Sequence, residues 1–287
     1  MLKISFLDFW DSFNPEQNFF LDAIKFVREG SRVTAPENAD LIICSVFGNS
    51  HESYRERIPI IQFIGEPRVP QLAKGTCYLT FCYGSFGSKN YRLPLWLLQF
   101  DWFNKGKLYG NPNFLIPQHF LYRKRVFQRR DNLCVSIFNH DPVGNRVAFL
   151  RALSDHGVPV HAFGKPFFNW FVGESKKMEI LSNFQFAQCF ENSAMPGYHT
   201  EKLIHAYFSG CIPVYWGSDT LDLEFNEKAI VLFSPAMSPN QLVDEILNIS
   251  GDKAKIRSIF EHDLFKVPPS LNDVITPVLK VLDNHCL

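Results

Sequence analysis

A chain of 287 residues, 46% hydrophobic and 20% charged, carries enough apolar side chain for a large core and too little charge for intrinsic disorder. Twenty-nine Lys and Arg balance twenty-nine Asp and Glu, so a polyanion finds no general attraction and an anionic ligand needs a local cluster. Seven cysteines (Cys44, Cys77, Cys82, Cys134, Cys189, Cys211, Cys286), odd in number, without a CxxC pair and mostly inside apolar runs, read as buried free thiols in a reducing compartment.

The first residues, MLKISFLD, reach Asp8 too early for the apolar core of a signal peptide. No run approaches the ~18 apolar residues of a membrane span. A soluble, cytoplasmic protein is expected.

Lys3 to Phe9 alternates and predicts a strand. Asn14-Pro15 offers an N-cap and a favoured first helical residue, Phe20, Ala23, Ile24 and Val27 form an apolar helical face, and Gly30 ends it. Leu41–Phe47, Ile60–Ile64 and Cys77–Cys82 read as strands, the second running into Gly65-Glu66-Pro67. Strands separated by helices or long connections predict a mostly parallel sheet with covered faces. From Lys105 to Asn132 the pattern loosens, as in a connection between two domains. Its basic run, Arg123–Arg130, reads as solvated surface, and nucleic-acid binding fails on net charge and on the lack of a matching module.

The second half repeats the α/β rhythm. Leu133–Phe138 is a strand, and Asp141-Pro142 caps a helix with Val143, Val147 and Leu150 on one face. Val158–Phe163 is a strand, Lys176–Leu181 a short helix, Phe184–Phe190 a strand. Ile230–Phe233 is another strand, followed by helices from about Pro239 to Ile249 and Lys253 to Glu261. In the tail, Pro277 either starts a helix, with Thr276 as cap, or kinks it. The expected organisation is α/β: residues 1–128 and 129–265 as two Rossmann-like domains facing each other across a cleft, and 266–287 as a helical tail. In open parallel sheets ligands bind beyond the carboxyl ends of the strands.

Cys189 to Ser218 is the most informative stretch. Strand, Pro196-Gly197 turn, Thr200 as N-cap, a helix with Leu203, Ile204, Tyr207 and Phe208 on one face, Gly210 at C′, and a second strand follow in order. Glu191, Asn192, Tyr198, Glu201 and Lys202 converge on the turn and the helix start, where unpaired N–H groups and partial positive charge favour a phosphate. Taken alone, Glu201 and Lys202 describe a charged first turn on a surface helix. No D-x-D occurs, and no His or Cys cluster has metal-ligand spacing, so no metal is predicted.

This stretch resembles the donor-binding signature of the α1,3-fucosyltransferases, glycosyltransferase family 10. Phe190-Glu191-Asn192-Ser193, Tyr198-His199-Thr200-Glu201-Lys202 and Ile212-Pro213-Val214-Tyr215-Trp216-Gly217-Ser218 follow the family pattern without a gap. Gly65-Glu66 is similar to the family's G-E pair, Arg92-Leu93-Pro94 to its R-x-P, and Asn139 with Arg146 and Phe149 to its S-N…R-x-x-F. The resemblance implies a GT-B fold, a GDP-fucose donor and an N-acetyllactosamine-like acceptor glycan. It also implies transfer to the 3-OH of N-acetylglucosamine with inversion at the anomeric carbon.

Glu66 is then the expected catalytic base, with Arg146, Asn192, Tyr198, Glu201 and Lys202 binding the donor. Lys202 and Arg146 suit the diphosphate and Glu201 the ribose hydroxyls. No cofactor is required, and indirect stimulation by a divalent cation is compatible with the resemblance. Animal members carry a membrane anchor and stem, and some bacterial members heptad repeats and a basic tail. None of these is recognisable in this sequence, so membrane attachment is not expected. Two other readings remain open: a GT-B transferase using another nucleotide sugar, and a sugar-nucleotide or glycan-binding protein without catalysis.

Overall fold

The structure, a computed structural model, describes residues 1–105, 115–165 and 174–284. The chain divides into two compact units, residues 1–118 with 269–287, and residues 119–268.

In the first unit six strands run parallel: β1 (Lys3–Leu7), β2 (Arg32–Val33), β3 (Leu41–Cys44), β4 (Ile60–Ile64), β5 (Thr76–Thr80) and β6 (Asn90–Arg92), in the order β2-β1-β3-β4-β5-β6. Every residue of β3 is buried, as a parallel strand covered on both faces requires. A short parallel pair, β7 (Phe100–Asp101) and β8 (Ile116–Pro117), adds to this unit.

β5 and, in the second unit, the strands His161–Phe163 and Val231–Leu232 are shorter than the sequence predicts. β1 and β3 also end earlier than expected, for one local reason. Asp8 has φ +58 and turns the chain out of β1, while Ser45 and Phe47 donate their N–H groups to Leu7 and Asp8. The first helix, α1 (Phe19–Val27), starts later than Asn14-Pro15 suggests. Asn14 Oδ1 instead accepts from the Glu16 N–H. Asn18, buried, donates to the Asn14 and Pro15 carbonyls and caps the helix through the Leu21 N–H at 2.8 Å.

The C-terminal helix, Leu271–Asn284, packs on α1, β5 and β6. It buries Val274, Val278, Val281 and Leu282, and Arg28 pairs with Asp283 at 2.7 Å. Pro277 lies inside this helix and not at its start.

The second unit has the order β10-β9-β11-β12-β13, all parallel. Its strands are β9 (Asn132–Ile137), β10 (His161–Phe163), β11 (Phe184–Phe190), β12 (Ile212–Trp216) and β13 (Val231–Leu232). Its helices are α2 (Asn145–Asp155), α3 (Glu174–Leu181), α4 (Glu201–Phe208), α5 (Pro239–Gly251) and α6 (Lys253–Glu261). Phe149, Phe186, Phe190, Ile212, Val214, Leu242 and Ile246 form the centre of one apolar core. All seven residues of β11 are buried, so this central strand holds its carboxyl end in a fixed place.

Asp141 does supply acceptors for the start of α2, but from outside it. Its carboxylate receives the N–H groups of Gly144, Arg146 and Val147, Gly144 with φ +81 occupies the cap position, and Val143 is exposed. Gly164 follows β10 with φ +116, and a Cβ there would lie 2.0 Å from the Phe138 carbonyl oxygen. Only glycine lets these two strand ends approach so closely.

The basic run is not simply solvated surface. The Arg125 guanidinium lies 4.0 Å from the centre of the Tyr207 ring and 3.7 Å from that of Phe260, and donates to the Cys211 carbonyl at 2.6 Å. Burial lowers its pKa to about 10. Arg130 donates to the carbonyls of Phe184, Ser209 and Gly210. Aromatic faces and strand-end carbonyls thus absorb charge that the sequence pattern assigns to water. The division drawn from the sequence at 128/129 falls between these two clamps, inside the segment they tie to the second unit.

Candidate active site

At the carboxyl end of β11 the Glu191 N–H still reaches the Trp216 carbonyl at 2.8 Å, and then the chain leaves the sheet. Gly197, with φ +81, makes the turn possible and anchors it to Thr220 Oγ1 at 2.8 Å. The N-terminus of α4 is thereby placed beside β11. Its other end closes with Gly210 at φ +81, the Gly210 N–H bonding the Tyr207 carbonyl and the Cys211 N–H the Ala206 carbonyl. That is a Schellman stop.

Glu191 is the hub of the site and is 1% exposed. Its carboxylate accepts from the Thr200 N–H at 2.8 Å, from the Thr200 hydroxyl at 2.8 and 3.0 Å, and from Lys202 Nζ at 2.9 Å. The Thr200 hydroxyl therefore does not cap α4 as expected. It is drawn to Glu191 and receives a second bond from Lys202 Nζ at 2.7 Å. Glu201 stands on the outer side of Lys202, 3.5 Å from Nζ, and pairs with Lys177 Nζ of α3 at 3.2 Å. Side-chain exposures of 0% for Glu191, 17% for Lys202, 26% for Glu201 and 11% for Lys177 show a nearly dry cluster open at one edge.

Burial by itself would raise the Glu201 pKa, but the two ammonium groups reverse this and hold the carboxyl well below its usual range. For Lys202, burial would lower the pKa, and Glu191 and Glu201 more than reverse it, so the ammonium is firmly charged.

Arg146 is 3% exposed, and its donors are largely committed. One guanidinium nitrogen bonds the His140 carbonyl, and the other bonds the Phe190 carbonyl and Asn192 Oδ1, the last at 2.8 Å. With Oδ1 held by Arg146, the Asn192 amide is oriented. Two carboxylates face two ammoniums, and the buried Arg146 guanidinium lies in the field of Glu191, Asp141 and Glu201. Tyr198 is 3% exposed on the same turn. His199 is fully buried against Tyr215 Oη at 2.8 Å and Thr220 Oγ1 at 3.4 Å, a satisfied core histidine. Gly217 keeps this corner tight, since a Cβ there would meet Tyr215 Oη at 2.3 Å and Glu191 Cγ at 3.1 Å.

The sequence-predicted donor set, Arg146, Asn192, Tyr198, Glu201 and Lys202, thus lies on one corner of the second unit. Lys177 and Glu191 were not assigned roles by sequence reasoning. Glu191 stood inside the motif, but no sequence pattern marked a lysine in a short helix as a partner of Glu201.

His205, on α4 and 1% exposed, titrates against folding. Burial, and then Lys177, lower its pKa from 6.5 to about 3, so it is neutral in the folded chain. Between about pH 3 and 6.5 the unfolded chain binds a proton that the native one refuses, so stability falls as pH falls through that window. We expect roughly 2 kcal/mol less stability at pH 5 than at pH 7 from this group. Urea unfolding at the two pH values checks it: His205→Leu should remove most of the difference, and an unchanged difference would assign it elsewhere.

Glu66 belongs to the first unit. It follows β4 at the carboxyl end of the parallel sheet, half-buried, and its carbonyl accepts from the Arg68 N–H at 2.7 Å. Among the described residues its carboxylate makes no hydrogen bond or ion pair. At the same end of the sheet, Asp8 accepts His51 Nδ1 at 2.6 Å together with the N–H groups of Ser50 and His51. Burial alone would raise the Asp8 pKa, and these bonds hold it below the ordinary value. Arg92 donates to the Phe81 carbonyl at 3.1 Å and covers the Tyr83 ring, a structural placement.

Among the described residues no group of three or more His, Cys, Asp or Glu side chains is placed to hold a metal ion, and no helix is long and apolar enough to cross a membrane. The six cysteines among them are free thiols.

Residues 126–271 match the model of the C-terminal region of glycosyltransferase family 10 (fucosyltransferase), and residues 4–99 that of the alpha-(1,3)-fucosyltransferase FucT N-terminal domain. The chain is 39% identical over 89 residues to alpha-(1,3)-fucosyltransferase FucT of Helicobacter pylori, covering 31% of this chain and 19% of that protein. It is 28% identical over 145 residues to alpha-(1,3)-fucosyltransferase B of Drosophila melanogaster, covering 46% of this chain and 32% of that one. The matched regions thus span less than a third of either relative.

A crystal structure of an alpha1,3-fucosyltransferase with GDP superposes with a TM-score of 0.74 at 22% identity, over 99% of this chain and 90% of the other. Anabaena HepE in complex with UDP-glucose superposes at 0.57 and 11% identity, over 99% of this chain and all of the other. The fold is that of the GT-B glycosyltransferases. With both halves matched by models of one family, the chain belongs to glycosyltransferase family 10.

Proposed function

We propose that this protein is a GDP-fucose-dependent, inverting α1,3-fucosyltransferase acting on an N-acetyllactosamine-type acceptor. The observation that carries the reading is the charged network at the start of α4. Lys202 is held charged by Glu191, and Glu201 and Asn192 are oriented beside it. A nucleotide sugar presents the groups this corner would take: a diphosphate for Lys202 and the helix start, and a ribose diol for the ionised Glu201. Tyr198 stands on the same turn. Arg146 contributes its charge from behind Asn192 and fixes the amide, a narrower part than the direct diphosphate contact that the family pattern suggests. Guanine and fucose enter the reading through family membership and through alpha1,3-fucosyltransferase structures solved with GDP and with GDP-fucose.

In the reaction the Glu66 carboxylate takes the proton from the acceptor hydroxyl. The hydroxyl oxygen bonds to the fucose anomeric carbon from the face opposite the diphosphate. The bond from that carbon to the β-phosphate oxygen breaks, and its electron pair leaves with GDP. Charge growing on the leaving diphosphate is met by the Lys202 ammonium and the α4 N-terminus. No metal has to take part in this scheme, though a divalent cation bound to the diphosphate would assist the same charge.

A second reading, a transferase using another nucleotide sugar, is favoured by the fold shared with a protein solved with UDP-glucose. Thermal melting separates them, because a ligand of the native state raises its melting temperature. GDP at saturating concentration should stabilise the chain by several degrees and UDP should not. Stabilisation by UDP alone would replace the fucose reading with the second.

A further inference from the structure

Lys177 belongs to no motif, yet it is the closest cation to Glu201. The neighbouring lysine is poorly placed to orient that carboxylate, because residues i and i+1 of a helix do not face each other. Lys202 Nζ is held by Glu191 at 2.9 Å and Thr200 at 2.7 Å, and reaches Glu201 Oε1 only at 3.5 Å. Lys177 crosses from α3 to the same oxygen at 3.2 Å, with its side chain 11% exposed. Lys177 thus makes the hydrogen bond to Oε1 and Lys202 stands farther off the same oxygen, so the charge partners of the carboxylate gather on Oε1. A surface ion pair would leave these side chains free to rotate; this one is largely buried and joins two helices.

We propose that Lys177 is a positioning residue for donor recognition. By clamping Glu201 Oε1 it presents the carboxylate to a ribose diol and makes the site select a ribonucleoside diphosphate over its deoxy counterpart. The inference rests on the proposed contact between Glu201 and the ribose. It adds a requirement for α3 that neither the motif nor the neighbouring cations supply.

The test is the dissociation constants of GDP and 2′-deoxy-GDP, measured by calorimetry on the full chain. The wild type should prefer GDP by about tenfold, the worth of one hydrogen bond to a charged acceptor. Lys177→Met should lose most of that preference, weakening GDP while leaving 2′-deoxy-GDP within about twofold, and Lys177→Arg should restore it. Lys177→Met strands a charge beside Lys202, so Glu201→Gln and the double variant Lys177→Met/Glu201→Gln accompany it. If Lys177 acts through Glu201, the double variant should discriminate no less than Glu201→Gln alone.

Equal weakening of both ligands by Lys177→Met, with the preference kept, overturns the positioning role and leaves the Glu201 reading standing. A wild type that binds both ligands equally removes the Glu201–ribose contact itself, and this role of Lys177 with it.

Discussion

Glu66→Gln should lower fucose transfer by about 10²- to 10⁴-fold, the usual contribution of a positioned general base, while GDP affinity stays at the wild-type value. The amide keeps the size of the side chain and removes only its capacity to take the acceptor proton. Glu66 lies at the carboxyl end of β4 in the first unit, apart in sequence from every residue proposed to bind the donor. A base should therefore separate cleanly from the nucleotide site in the kinetics. Transfer at near-wild-type rate would remove Glu66 from the chemistry, and a parallel loss of GDP binding would place it with the donor. The comparison needs only initial rates with GDP-fucose and a titration with GDP.

Lys202→Met should be the most damaging change in the second unit, for two reasons that a second substitution can separate. Removing the ammonium leaves Glu191, 1% exposed, and Glu201 without the charge that sits between them. Breaking a buried pair by deleting one partner costs about 3–5 kcal/mol. The same ammonium is proposed to meet the leaving diphosphate, so GDP affinity should fall by tenfold or more, as for loss of one strong charge-assisted bond. Lys202→Met/Glu191→Gln removes the stranded charge and keeps an acceptor for the Thr200 N–H. Its melting temperature should recover much of the loss, and its GDP affinity should not. Recovery of both would make Lys202 a structural counter-ion only.

The strands and most helices are written in local patterns that tertiary packing did not overturn: β11 occupies the whole of its apolar run, and α4 ends at Gly210. The errors arise where a polar side chain had more than one partner to choose from. Asn14 and Asn18 both suit a helix start, and only the buried contacts of the second decide between them. Thr200 stands at the cap position, but its hydroxyl donates to a carboxylate nine residues earlier in the chain and accepts from Lys202 Nζ in place of a helix N–H. Arg125 and Arg130 read as solvated because a one-dimensional pattern cannot show aromatic rings and strand-end carbonyls arriving from residues 184–260.

The candidate site was legible as a set and less so as a mechanism. Four of the five expected donor residues flank one strand–turn–helix unit, and Arg146 joins them from α2 through Asn192. Their division of labour depends on contacts between elements. Arg146 spends its donors on strand-end carbonyls and on Asn192, and Glu201 answers to a lysine on another helix. Such pairings carry no spacing signal, so a sequence pattern finds the strand and the helix but not the charge network that joins them.

The central claim is transfer of fucose from GDP-fucose to the 3-OH of N-acetylglucosamine. Incubating the chain with GDP-fucose and N-acetyllactosamine, and reading the product by NMR, tests it most directly. The account predicts stoichiometric GDP release and an α-linked fucose on O3 of the N-acetylglucosamine. GDP-fucose that binds but remains intact over a broad set of glycan acceptors, or sugar transferred only from a UDP donor, would contradict it.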